Sequence, residues 1–226
     1  KVLATAQVRR HERRYMIEKF GRGSGPLSLP QVTLVAISSV KIEKTLEALE
    51  KSMLGFRYAK VIFLTDAEIS SPNRDIEIIK IGKLDYNGYS RFVIYDLKNY
   101  VQTPYALLVQ HDGYVLRPRK WRDEFLDYDY IGAPWKRGLY NTKDGKNVRV
   151  GNGGFSLRSR KLLEAPTALN IPFDDHGTHF FHEDGIICLF NRDALEQSGI
   201  RFAPVALASH FSRERWCPDS ALFPFG

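Results

Sequence analysis

The chain has 226 residues, enough for one large or two small domains around a substantial core, and its 43% hydrophobic and 26% charged residues are ordinary for a soluble globular protein. No apolar run approaches the roughly 20 residues that span a bilayer, and no signal-peptide pattern opens the chain, so the sequence predicts a cytoplasmic protein. The net charge of +7 is uneven: residues 1–25 hold seven basic and two acidic residues, which accounts for +5 of it, and the near-neutral remainder argues against a nucleic-acid binder with a basic face.

Those first 25 residues, "ATAQVRRHERRYMIEKF" among them, have helix-forming composition with Val8, Tyr15, Met16 and Phe20 as apolar anchors. They read as a basic amphipathic helix on a membrane surface or an anionic partner, as the end of an upstream helix, or as a solvated face. "GRGSGP" (21–26) then breaks the pattern as a joint, leaving 26–226 as the main domain.

Strands and helices alternate after the joint. "VTLVAIS" (32–38) is a continuous apolar strand of the type buried on both faces, and 41–53 a helix with Ile42, Leu46, Leu49 and Met53 on one stripe. "KVIFLTD" (60–66) and "DIEIIKI" (75–81) are further strands, 90–101 a helix, "YALLVQHD" (105–112) a strand, 119–127 a short helix and 128–135 a strand or extended segment. This order predicts an α/β Rossmann-type sandwich with a mostly parallel sheet. The second half, rich in Gly and Asn around 136–160, is expected to contain a hairpin, a helix over 158–164, one or two helices over 182–199 and a late strand from Ile200. Cys188 and Cys217 lack disulfide-framework or metal spacing, and Cys188 reads as a buried thiol.

In open α/β sheets ligands gather at the C-terminal ends of the parallel strands. Three such ends are polar here: Ser38-Ser39, Thr65-Asp66 and Gln110-His111-Asp112. Each could be a turn, since Asp and Ser form turns readily; together they suggest a site. Asp112 follows "ALLV" and is rigidly placed, as an oxygen ligand for Mg²⁺ or Mn²⁺ would be, with His111 as a second ligand or a bystander on the other face. "VGNGGFSLRSR" (150–160) lacks the phosphate-loop spacings, but its glycines demand a sharp turn or a close approach, beside which Asn152 offers an amide. In "HFFHEDG" (179–185), Glu183 and Asp184 are either helix caps or a general base, with His179 and His182 as further candidate ligands.

With "LLVQHDGYVL", "YDYIGAPW", "VGNGGFSLRSRKLL", "HEDGIIC" and "FSRE" in fixed order, residues 31–226 resemble nucleotide-sugar glycosyltransferases of the GT-A fold. More closely, they look like a family of uncharacterised, predicted glycosyltransferases found mainly in bacteria. The resemblance implies a GT-A-like domain that moves a sugar from a nucleotide donor, with UDP-sugars favoured, to a glycan or other hydroxyl acceptor, as in polysaccharide biosynthesis, at the inner membrane surface or in the cytoplasm. It implies that Asp112 holds a divalent cation (Mn²⁺ or Mg²⁺), with His210 as the C-terminal ligand, and Gln110 stands where the family has its first acid. It places Ser38, Thr65 and Asp66 around the base and ribose, and Tyr89, Ser90, Arg91, Gln110 and His111 on the donor. Trp135, Asn152, Gly153 and Gly154 fall on the acceptor side, and Asp184, or failing it Glu183, becomes the base of an inverting displacement. Two rivals remain open: a non-catalytic carbohydrate-binding or degenerate transferase domain, and a sugar nucleotidyltransferase, whose N-terminal Gly-rich basic loop is missing after "VTLVAIS".

Overall fold

The computed structural model describes residues 25–137, 145–174, 182–214, 217 and 221–226. The expected N-terminal helix lies outside them. Strand β1 (Leu27–Ile37) is followed by α1 (Ile42–Met53), β2 (Phe56–Thr65), β3 (Ile76–Lys80), α2 (Tyr86–Arg91) and β4 (Tyr105–Val109). The second half supplies β5 (Tyr130–Ile131), β6 (Ser156–Ser159), α3 (Arg160–Ala168), α4 (Glu183–Gly185), α5 (Arg192–Gln197) and α6 (Val205–Phe211).

The six strands form one sheet in the order β3-β2-β1-β4-β6-β5. β1 pairs in parallel with β2 and β4, and β3 in parallel with β2, while β6 runs antiparallel to both β4 and β5. This is the expected α/β architecture with a mostly parallel sheet. The apolar runs are continuous because both faces are covered. Leu34, Phe63, Leu107 and Leu157 pack on one side with Leu49 of α1. Val35, Ile62, Leu64 and Leu108 point to the other, against Phe92, Val93 and Leu97 beyond α2 and Leu163 of α3. Each such side chain is worth about 1.5–3 kcal/mol when fully removed from water.

Several elements differ from the sequence expectation. The helix expected over 90–101 starts earlier, because Asp85 caps it by accepting from the Gly88 N–H at 2.7 Å. Beyond Arg91 it widens into a π turn, Phe92–Asp96, where the Leu97 N–H reaches the Phe92 carbonyl, and then tightens into a 3-10 turn, Leu97–Asn99. Segment 119–127 is two 3-10 turns, Pro118–Lys120 and Asp123–Asp127, not one helix. Where the hairpin is expected, the described residues include an antiparallel bridge between Pro134 and Val150; 138–144 lie outside them. The helix expected from 158 begins at Arg160, capped by Ser159 accepting from the Leu162 N–H at 3.0 Å, because 156–159 belongs to the sheet as β6. The late strand from Ile200 is a single bridge, Phe202 to Tyr130, followed by α6. Pro204 stands immediately before α6, where its missing N–H and fixed φ cost nothing, and alanines carry the helix onward.

Candidate functional site

The chain leaves β1 for β2 and β3 on one side and returns for β4 on the other. That reversal opens a crevice at the C-terminal ends of β1 and β4, the place where open α/β sheets bind ligands. Ser38, 8% exposed, donates its hydroxyl to the Val40 carbonyl, and Ser39 Oγ accepts from the Leu84 N–H at 2.9 Å. Thr65 is buried at the end of β2, its Oγ1 accepting from the Ala67 N–H. Next to it, Asp66 keeps Oδ1 buried with no hydrogen-bond partner among the described residues. A buried carboxylate oxygen without a donor is costly unless a ligand or water supplies one.

After β4 the backbone turns at once. Gln110 and Gly113 exchange both backbone hydrogen bonds, at 2.9 and 3.2 Å, with His111-Asp112 as the tip. Gly113 is required by close packing: a Cβ there would stand 3.0 Å from the Phe155 Cβ and 3.1 Å from the Gly154 carbonyl. The Gln110 side chain points inward, donating from Nε2 to the Tyr89 hydroxyl at 2.7 Å, with Oε1 against Gly154. His111 Nε2 lies 2.9 Å from Lys41 Nζ, and its Nδ1 lies 3.4 Å from Asp112 Oδ1. The Asp112 side chain is 70% exposed.

This set of donors does not suit the divalent cation that the resemblance implies at Asp112. Where an acid is expected, Gln110 turns onto Tyr89, and an ammonium occupies one flank of His111. His210, expected as the further ligand, has its pKa lowered by burial and by the neighbouring Arg122 and Lys120 charges, against the pull of Glu124. No three His, Cys, Asp or Glu side chains among the described residues converge as a metal site.

The second half of the site is built on the glycine loop. Gly153 donates its N–H to Asp184 Oδ2 at 3.1 Å, and a Cβ at Gly153 would overlap Glu183 Oε1. A Cβ at Gly154 would stand 2.8 Å from Gln110 Oε1. The two glycines therefore join the end of β4 to the Glu183-Asp184 pair. Asn152, in the left-handed region at φ 60, donates its amide to Glu214.

Glu183 is 5% exposed and receives Arg158 Nη2 at 2.7 Å. Arg158 stands on β6 beneath the loop, its guanidinium 5.3 Å from the centre of the Tyr130 ring and its Nε donating to Ser156 Oγ at 3.0 Å. Ser156 in turn donates to the Gly153 carbonyl at 3.0 Å. Burial raises the Glu183 carboxyl to about 7, against the pull of Arg158, and the neighbouring Asp184 charge adds to the rise. Asp184 is only partly buried and accepts from the Gly153 and Gly185 N–H groups. Of the two acids, Asp184 is the one with an open flank; Glu183 is committed to Arg158. Nearby, the exposed Tyr86 ring meets His182 edge-on at 5.2 Å with its hydroxyl on the imidazole, and burial together with Asp184 and Glu183 raises its pKa. Burial likewise raises Tyr89, with Glu183 adding to it.

The structure thus gathers Tyr89, Gln110, Gly153, Gly154, Glu183 and Asp184 around one centre, with Lys41, His111 and Asp112 at the tip of β4. Other expected residues are engaged with neighbours of their own. Arg91 turns over the Tyr95 and Phe173 rings, Ser90 is buried in α2, and Trp135 is 7% exposed, its ring filling the space a side chain at Gly151 would need. His179 lies outside the described residues. Sequence reasoning assigned no role to Arg158, Lys41, Tyr86 or Glu214. No curated protein matches the chain. Residues 81–226 match the family model described as "Protein of unknown function (DUF5672)", and the chain belongs to that family.

Proposed function

We propose that this protein is a glycosyltransferase that moves a sugar from a nucleotide-sugar donor to a hydroxyl acceptor with inversion. The observation that carries the proposal is the junction made by Gly153 and Gly154, which sets an open carboxylate, Asp184, beside the switch-point end of β4. Asp66, whose buried Oδ1 has no partner among the described residues, supplies an acceptor for a base N–H or a ribose hydroxyl at the neighbouring strand end. The acceptor hydroxyl gives its proton to Asp184 as its oxygen attacks the anomeric carbon. The bond from that carbon to the phosphate oxygen breaks, and the nucleoside diphosphate leaves. Glu183 and Arg158 hold the loop and the backbone of Asp184 in place and do not exchange protons with substrate.

A domain that binds the donor without turnover is the second reading, favoured by Gln110 being turned onto Tyr89 at the position where the resemblance to GT-A transferases implies an acid. Thermal shift with a panel of UDP- and GDP-sugars tests the binding common to both. A donor at a hundred times its Kd stabilises by about 2.7 kcal/mol, a rise in Tm of about 5–10 °C for a chain of this size. No shift with any donor overturns the proposal.

A further inference from the structure

We infer that the charge of a bound diphosphate is met in this protein by Lys41, held in place by His111, with no divalent cation at Asp112. The inference rests on the glycosyl-transfer reading and changes how its leaving group is stabilised. Lys41 stands just beyond β1 and His111 just beyond β4, on the two sides of the switch-point crevice. An ammonium has only donors, so at 2.9 Å it donates to His111 Nε2, and the imidazole proton is fixed on Nδ1, facing Asp112 Oδ1 at 3.4 Å. His111 thereby holds one of the three N–H groups of Lys41. The other two remain for phosphate oxygens.

The same arrangement is a poor cation site. A divalent ion at Asp112 would approach a histidine whose ring nitrogens face an ammonium and the Asp112 carboxylate itself. The position two residues before Asp112 offers only the Gln110 carboxamide, already donating to Tyr89 at 2.7 Å. Asp112 alone, 70% exposed, gives one or two oxygens, so such an ion would depend on water and the diphosphate itself for the rest of its shell. A nucleoside diphosphate leaves more readily when its developing charge meets a cation, and a lysine supplies N–H donors with a single positive charge where a metal would act as a Lewis acid.

Calorimetry on the full chain with UDP, GDP, inorganic pyrophosphate and the matching nucleosides tests this, each run in excess EDTA and again with Mn²⁺. The expected result is binding of a nucleoside diphosphate and of pyrophosphate with Kd values that agree within about twofold in the two conditions. Lys41→Met then weakens both by about ten- to a hundredfold, the loss of a charge-assisted hydrogen bond or two, and leaves nucleoside affinity unchanged. Lys41→Arg restores part of the loss. Lys41 is exposed and its carbonyl, not its side chain, bonds to Thr45, so the variants retain the fold. Binding that requires Mn²⁺ and disappears in EDTA overturns the inference while leaving the transferase reading in place, and so does a Lys41→Met variant that binds like the wild type. Absence of binding by any nucleotide in either condition removes the transferase reading and the inference with it.

Discussion

Replacing Glu183 by Ala leaves the Arg158 guanidinium buried and unpaired, and replacing Arg158 by Met leaves the Glu183 carboxyl in the same position. The two side chains are 2% and 6% exposed and 2.7 Å apart, so neither loss is repaired by water. Removing one partner of such a pair costs about 3–5 kcal/mol. The two substitutions are not equivalent, however. Arg158 cannot shed its proton, whereas Glu183 can take one, its carboxyl having already been raised to about 7 by burial. Glu183→Ala therefore falls in the upper part of that range, a drop in Tm of about 8–20 °C, and Arg158→Met costs less. The pH dependence follows from the direction of the shift. A carboxyl raised in the folded chain binds a proton that the unfolded chain has lost. Its contribution to stability is therefore largest below the ordinary value of 4.5 and declines as pH rises toward about 7. Removing Arg158 removes the one strong opposing influence, so the decline deepens and extends to higher pH. Urea denaturation at pH 5.5 and pH 8 reads this directly: the gap between wild type and Arg158→Met widens at pH 8. The reasoning fails if Glu183→Ala stays within about 1 kcal/mol of the wild type, or if Arg158→Met is the more damaging of the two at pH 5.5.

Two other substitutions probe the frame of the site. Gly151→Ala puts a Cβ into the Trp135 ring and is expected to cost about 1–3 kcal/mol by overpacking, seen as a lowered urea midpoint; an unchanged midpoint means that the Trp135 ring has room to move. Tyr89→Phe takes away the hydroxyl that receives Gln110 Nε2 and is expected to cost about 1 kcal/mol in the same assay, with a larger effect on donor affinity because Gln110 and the turn at the end of β4 lose their tether.

The sheet was legible because its strands are buried on both faces: "VTLVAIS", "KVIFLTD" and "YALLV" admit few other structures. β6 was not legible, since "SLRS" has the polarity of a surface segment and becomes a central strand only through Glu183, twenty-five residues away. Periodicity within a window cannot show a pairing of that range. The late strand expected from Ile200 gives way to a helix for a local reason: Pro204 has no N–H to give a ladder and fits the position before a helix, which Ala206 and Ala208 then favour. At the site, the strand-end acids and the glycine pair stood out in the sequence because each is unusual for its position. What the glycines approach, and which of two adjacent acids keeps an open flank, depends on how Arg158 is placed beneath them. Lys41 escaped notice because a lone lysine after a strand is common; its meaning comes from His111 across the crevice.

Release of nucleoside diphosphate from a panel of nucleotide sugars, measured for the wild type and for Asp184→Asn, tests the central claim most directly. Asp184 is only partly buried and Asn can still accept from one of its two N–H donors, Gly153 or Gly185, so the variant keeps the fold and loses the base. The account predicts release from at least one donor by the wild type and a fall of about 10²–10⁴-fold in Asp184→Asn. No release from any donor, or an Asp184→Asn variant as active as the wild type, would contradict it.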